Sequence, residues 1–85
     1  MHIESKVRQF ILRDYLFTDD QAALKNDDSF MNGGILDSTG ILEMIMFLSE
    51  QFGIIVEDDE MVPENLDSVS RVTAYVRRKS ATAAA

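Results

Sequence analysis

The sequence contains no cysteine. Disulfides and thiolate metal sites are therefore excluded, and any thiol chemistry has to come from something added to the chain. Histidine occurs once, at His2, near one end. That leaves neither a histidine-centred metal site nor a serine–histidine catalytic dyad, and no metal or catalytic group is expected. No apolar stretch approaches the roughly 20 residues that a membrane-spanning helix requires. Met1-His2-Ile3-Glu4-Ser5-Lys6 lacks the basic-then-apolar build of a signal peptide. Basic residues are almost missing from the middle: between Asp14 and Asp67 fourteen acids stand against one base, Lys25. Such a segment repels phosphate backbones and anionic membrane surfaces, which argues against nucleic acid as a partner. It would attract and orient partners carrying basic patches, although acidic surfaces also serve solubility alone. A soluble, cytoplasmic monomer is expected.

What is present suits one small domain. The 85 residues, with a net charge of −7 and 46% apolar content, are enough for one modest core and too few for two. Ile3, Val7, Phe10 and Ile11, extended by Tyr15, follow one helical face and predict a first helix over residues 3–16. Residues 18–37 show no sustained period and are rich in Asn, Asp, Ser and Gly, which is turn chemistry. Leu24, Phe30, Ile35 and Leu36 are placed to pin that loop to the core, and a short helical turn falls near 19–25. A second helix begins at Asp37 or Ser38, either of which can cap it. Its core arc reads as Ile41, Ile45, Leu48 and Phe52 with Met44 at the edge, and Gly53 stops it. Ile54-Ile55-Val56 reads as a packed extended connector. Glu57-Asp58-Asp59-Glu60 suits the start of a short helical turn, whose length Pro63 limits. Asp67 can cap the last helix, in which Val69, Val72, Tyr75 and Val76 share a face. Arg77, Arg78 and Lys79 complement the dipole at its end. The expectation is an all-α four-helix bundle with three longer helices and one short. Residues 1–79 form the domain, and residues 80–85 a disordered tail without large side chains.

The second helix has another face to explain. Opposite its core arc lie Thr39, Glu43 and Glu50, flanked by Leu42, Met46 and Phe47. Acids mixed with large apolar side chains suit a partner surface, where charge guides encounter and apolar area holds. The plainer alternative is that Leu42, Met46 and Phe47 pack against neighbouring helices.

Gly33-Gly34-Ile35-Leu36-Asp37-Ser38-Thr39, followed by Ile41-Leu42-Glu43-Met44-Ile45-Met46-Phe47-Leu48 and Glu50-Gln51-Phe52-Gly53, resembles the acyl and peptidyl carrier proteins. Val62-Pro63-Glu64-Asn65-Leu66-Asp67-Ser68-Val69 resembles the segment joining the last two helices in free-standing members, and the likeness covers residues 3 to 79. It implies a non-enzymatic carrier in which Ser38, preceded by Asp37, bears 4′-phosphopantetheine taken from coenzyme A. The carrier holds an acyl or aminoacyl thioester on that arm. The implied partners are a phosphopantetheinyl transferase, a loading ligase and downstream acyl-transferring enzymes. Leu42, Glu43, Met46 and Glu50 match positions the family uses to meet them, and Thr39 and Phe47 of the same face complete the expected docking surface. Thr39 stands where leucine is usual and Gly40 where a polar residue is common. A serine at a helix N-terminus sits beside free N–H groups and the positive end of the dipole, which tolerates a phosphodiester.

Three further patterns have plainer readings. Asp67-Ser68-Val69 repeats the serine motif without a preceding glycine loop and reads as capping. Residues 28–39 resemble a calcium loop only loosely, because Phe30 and Thr39 fall where ligands are needed. The acids at 57–60 read as solvated charge. The rival from another class is an acidic helical adaptor that binds protein with no prosthetic group.

Overall fold

The computed structural model describes residues 3–84, with side chains through residue 80; His2 and residue 85 lie outside the described residues. Four α-helices form the fold: α1 (Ile3–Asp14), α2 (Ser38–Phe52), α3 (Pro63–Leu66) and α4 (Val69–Ala84). Single 3-10 turns at Gln21–Ala23 and Asp58–Glu60 interrupt the connections. The described residues contain no strand, so the expected all-α bundle of three long helices and one short is what forms. Among them no helix is long and apolar enough to cross a membrane. The α4 backbone runs through Ala84, past the expected limit at residue 79. The side chains of the expected tail, from residue 81 on, lie outside the described residues.

The core is one cluster fed by every helix. Val7, Ile11 and Leu12 come from α1, Met44 and Leu48 from α2, Leu66 from α3, and Val69, Val72, Tyr75 and Val76 from α4. The α4 face therefore matches its expected residues, with Thr73 buried beside them. On α2 the buried line is Gly40, Met44 and Leu48, while Ile41, Ile45 and Phe52 are only partly covered. The arc is thus rotated from the one centred on Ile45, because α2 also has to face α1 through Phe47. The loop residues Leu24, Phe30 and Leu36 are buried, and Ile35 is packed against them. In the 54–56 connector Ile54 and Val56 point inward while Ile55 is exposed, the alternation of an extended segment.

The structure changes four local expectations. Helix α1 stops at Asp14 rather than 16, since Leu16 N–H bonds the Ile11 carbonyl at 3.1 Å and Thr18 N–H the Leu12 carbonyl at 3.0 Å. Pro63 opens α3 instead of limiting a helix begun at 57, because proline's missing N–H is no loss at a first helical position. Ser68, not Asp67, caps α4, its Oγ accepting the Arg71 N–H at 3.1 Å. Glu60 is also more than solvated charge. Its carboxylate accepts the Tyr75 hydroxyl and the Lys79 ammonium, each at 2.9 Å, and the Glu57 N–H at 3.0 Å. One carboxylate thereby ties the 58–60 turn to α4.

The Glu57 N–H, followed by the Lys79 hydrogen bond, holds the Glu60 carboxyl down to about 2 from an ordinary 4.5. Because the folded value is the lower one, the ionised form is the stabilised form. Its stabilisation is complete above about pH 4.5 and is lost as pH falls toward 2. Thermal melts across that window should show the parent losing stability more steeply than Glu60→Gln, which keeps the hydrogen-bonding shape without the titration. Parallel curves would show that this carboxylate contributes nothing to the acid limb.

Candidate functional site

The site is the point where the 18–37 loop becomes α2. Asp37 is the N-cap, with extended dihedrals (φ −100°, ψ −171°), and its Oδ1 accepts the Gly40 N–H at 2.8 Å. Its carbonyl accepts the Ile41 N–H at 2.9 Å. With both capping duties carried by Asp37, Ser38 is the first helical residue, exposed to solvent. Its hydroxyl has no hydrogen-bond partner among the described residues.

Gly40 is buried against the end of α1. A Cβ there would lie 3.1 Å from Leu36 Cδ2 and 3.3 Å from Tyr15 Cε1, closer than ordinary packing. A glycine in the first turn, costly for a helix by about 1 kcal/mol relative to alanine, is what lets α1 and α2 approach at this level. Tyr15 then donates its hydroxyl to Glu43. Burial and that hydrogen bond push the Tyr15 phenol up to about 12, so it remains a neutral donor.

From Ser38 a groove of about 330 Å³ runs between α2 and the segment after the second 3-10 turn. Ile41 and Leu42 form one wall, Met61, Val62 and Pro63 the other, and Leu66, Met31 and Asp67 close it. Its lining is mostly apolar, with Ser38 and Asp67 the polar exceptions. Leu42 is 56% exposed and Met46 63%. Together with Met31, Met61 and Val62 they leave apolar side chains standing beside an acidic helix.

The residues expected to form one docking stripe are divided between two hollows. Ser38 and Leu42 belong to the apolar groove. Glu43, Met46, Phe47 and Glu50 line the α2 side of another, of about 500 Å³, whose α1 side includes Lys6, Phe10 and Arg13. Thr39, Glu43 and Glu50 are exposed. Phe47 is half-buried, stacked on Phe10 with ring centroids 4.4 Å apart and edge-on to Phe52 at 6.3 Å, which is the packing role open to it beside docking.

Asp67, expected as a cap for α4, leaves that duty to Ser68 and anchors the loop instead. Its carbonyl accepts the Phe30 N–H at 2.9 Å. Its carboxylate takes the Ser29 hydroxyl at 2.5 Å and the Met31 N–H at 3.0 Å. The Phe30 carbonyl in turn accepts the N–H groups of Ile35 at 2.8 Å and Leu36 at 3.1 Å, immediately before the Asp37 cap. No signal in the sequence marked a partner 38 residues away from Ser29.

No family model matches the chain. It is 36% identical over 55 residues to the D-alanyl carrier protein of Abiotrophia defectiva, across 65% of this chain and 70% of that protein. It is 35% identical over 57 residues to the acyl carrier protein of Exiguobacterium sibiricum, across 67% and 70%. The D-alanyl carrier protein of Streptococcus uberis matches at 32% over 77 residues, covering 91% of this chain and 94% of the relative.

Removing the Asp67 carboxylate strands a partly buried hydroxyl and a loop N–H. Asp67→Ala should cost about 1–3 kcal/mol in urea melts. Asp67→Asn, which keeps an acceptor oxygen and the side-chain shape, should cost much less. Equal stability of all three proteins would remove the loop anchor assigned to this side chain.

Proposed function

The chain belongs to the family of acyl and D-alanyl carrier proteins and is a carrier protein, and on that premise we propose that Ser38 is where it bears 4′-phosphopantetheine. The single observation behind this is the division of labour at the start of α2: Asp37 takes the cap, and Ser38 is left exposed at the mouth of an apolar groove.

The surroundings fit that group. A phosphodiester on Ser38 Oγ would lie beside the first N–H groups of α2 and at the positive end of its dipole. The groove between Leu42 and Val62 offers apolar cover next to the attachment point. When bound, the arm supplies the thiol that this cysteine-free chain lacks, and that thiol holds cargo as a thioester. The protein's own part is to present, orient and tether, which raises the effective concentration of cargo for the next enzyme. Catalytic groups reside in the partners. Two of the relatives are named for D-alanine, which supports an aminoacyl cargo over a bulk fatty acyl chain.

The partners we propose are a phosphopantetheinyl transferase, a loading ligase and enzymes that accept the cargo, all in the cytoplasm where coenzyme A is made available to the chain. Thr39, Leu42, Met46 and Glu50 form the exposed docking face. Glu43 is oriented by Tyr15, and Phe47 is the packed base beneath. The acids steer encounter, and the apolar side chains hold the complex.

Incubation with coenzyme A and a broad-specificity phosphopantetheinyl transferase should add the mass of one arm to the parent and nothing to Ser38→Ala. An unmodified parent would return the chain to the role of an acidic adaptor. On the protein bearing the arm but no cargo, Glu43→Lys and Met46→Ala should each slow cargo attachment by about tenfold, the loss typical of an interface contact of more than 1 kcal/mol. Circular dichroism should show both variants folded; rates equal to the parent's would move the docking face elsewhere.

A further inference from the structure

Phe17 is unexplained by anything the fold requires. Among the described residues it is the only non-glycine with a positive φ, at 54°. It occupies the position just past α1 where the chain turns left-handed, bridged by the Thr18 N–H to Leu12 carbonyl bond. That position favours glycine, because any Cβ there crowds the neighbouring backbone. Nor does packing hold the ring in place: at 82% exposure it is the most exposed large apolar side chain described. A left-handed backbone at a non-glycine residue is destabilising, and the largely exposed ring gains little packing among the described residues in return.

Its location points to the missing contact. Tyr15, two residues earlier, touches the first turn of α2 at Gly40 and bonds Glu43. The end of α1 therefore lies at the same end of the molecule as Ser38. The chain from Asp14 to Leu24 adds three carboxylates, Asp14, Asp19 and Asp20, all exposed, and no base of its own; Arg8 and Arg13 of α1 border the hollow that Asp19 lines, and Arg8 is engaged with Gln21. Given the assignment of Ser38 above, on which this rests, the transferase has to bring coenzyme A to the Ser38 hydroxyl itself, with no arm to span a gap. It is thus the partner obliged to cover this end. We propose that Phe17 is a docking anchor for the phosphopantetheinyl transferase, entering an apolar socket whose basic rim meets Asp14, Asp19 and Asp20.

The test exploits the opposition between stability and binding. Phe17→Gly and Phe17→Asn both suit a left-handed residue and remove the ring, whereas Phe17→Leu keeps apolar bulk. Each would be given coenzyme A and a broad-specificity phosphopantetheinyl transferase, with arm addition followed by mass and each melting temperature measured. The expected result for Gly and Asn is a melting temperature equal to or above the parent's and a kcat/KM lower by about tenfold, carried by KM, as for truncation of an interface anchor. Leu should retain most of the parent's rate. Equal kcat/KM across the series would overturn the proposal, as would a lowered melting temperature in Gly and Asn, which would make Phe17 a packing residue. A parent that gains no arm overturns the Ser38 assignment first, and this proposal with it.

Discussion

Three hydrogen bonds at Asp67 set the course of the loop that leads into α2 at Ser38. They fix residues 29–31 against the junction of α3 and α4. From there the Phe30 carbonyl fixes Ile35 and Leu36, and the next residue, Asp37, caps α2. Each link is short, so position is passed from the far end of the chain to the first turn of α2 with little slack. Phe30 itself is fully buried, which couples this polar relay to the core. A second tie runs in parallel: the Asn26 carbonyl accepts the Ser70 N–H at 2.9 Å, while its side chain accepts Arg8 at 2.7 Å. A loop of some twenty residues is therefore held by α1, α4 and the α3–α4 junction together.

The other wall of the groove is anchored separately. Glu60 links its turn to Tyr75 and Lys79, and its carbonyl accepts the Asn65 side chain at 2.9 Å. Burial, then the hydrogen bond to Glu60, raises the Tyr75 phenol, which keeps it protonated and donating. Met61 and Val62 follow directly and line the groove with Leu42. The groove thus lies between two elements positioned by different polar anchors, Asp67 on the loop side and Glu60 on the α4 side. Its own surface can then remain apolar, since no lining side chain but Asp67 has to hold a neighbour by charge.

Much of the arrangement was legible in the sequence because it is local. The acidic middle, the Asp37–Ser38 start, the Gly53 stop and the Val69-Val72-Tyr75-Val76 face rest on spacing within one element. Gly53 does adopt a left-handed conformation, φ 66°, as a helix stop requires. Expectations that failed, or were incomplete, involved a second element. The α2 arc turned because Phe47 found Phe10, and Glu60 became an anchor because Tyr75 and Lys79 face it. Asp67 left the α4 cap to Ser68 because the loop offered it stronger use.

Alone, the sequence determined an all-α fold with a helix starting at Asp37–Ser38 and an acidic middle, since helix periodicity, capping and charge are properties of neighbouring residues; the carrier role came from the family resemblance. Tertiary structure decided that Ser38 is exposed and what stands around it. Gly40 shows the difference plainly. In the sequence it is a weak first turn; in the fold it is the space into which Tyr15 and Leu36 pack. Contacts across thirty or forty residues depend on how helices approach one another, and no local pattern encodes that approach.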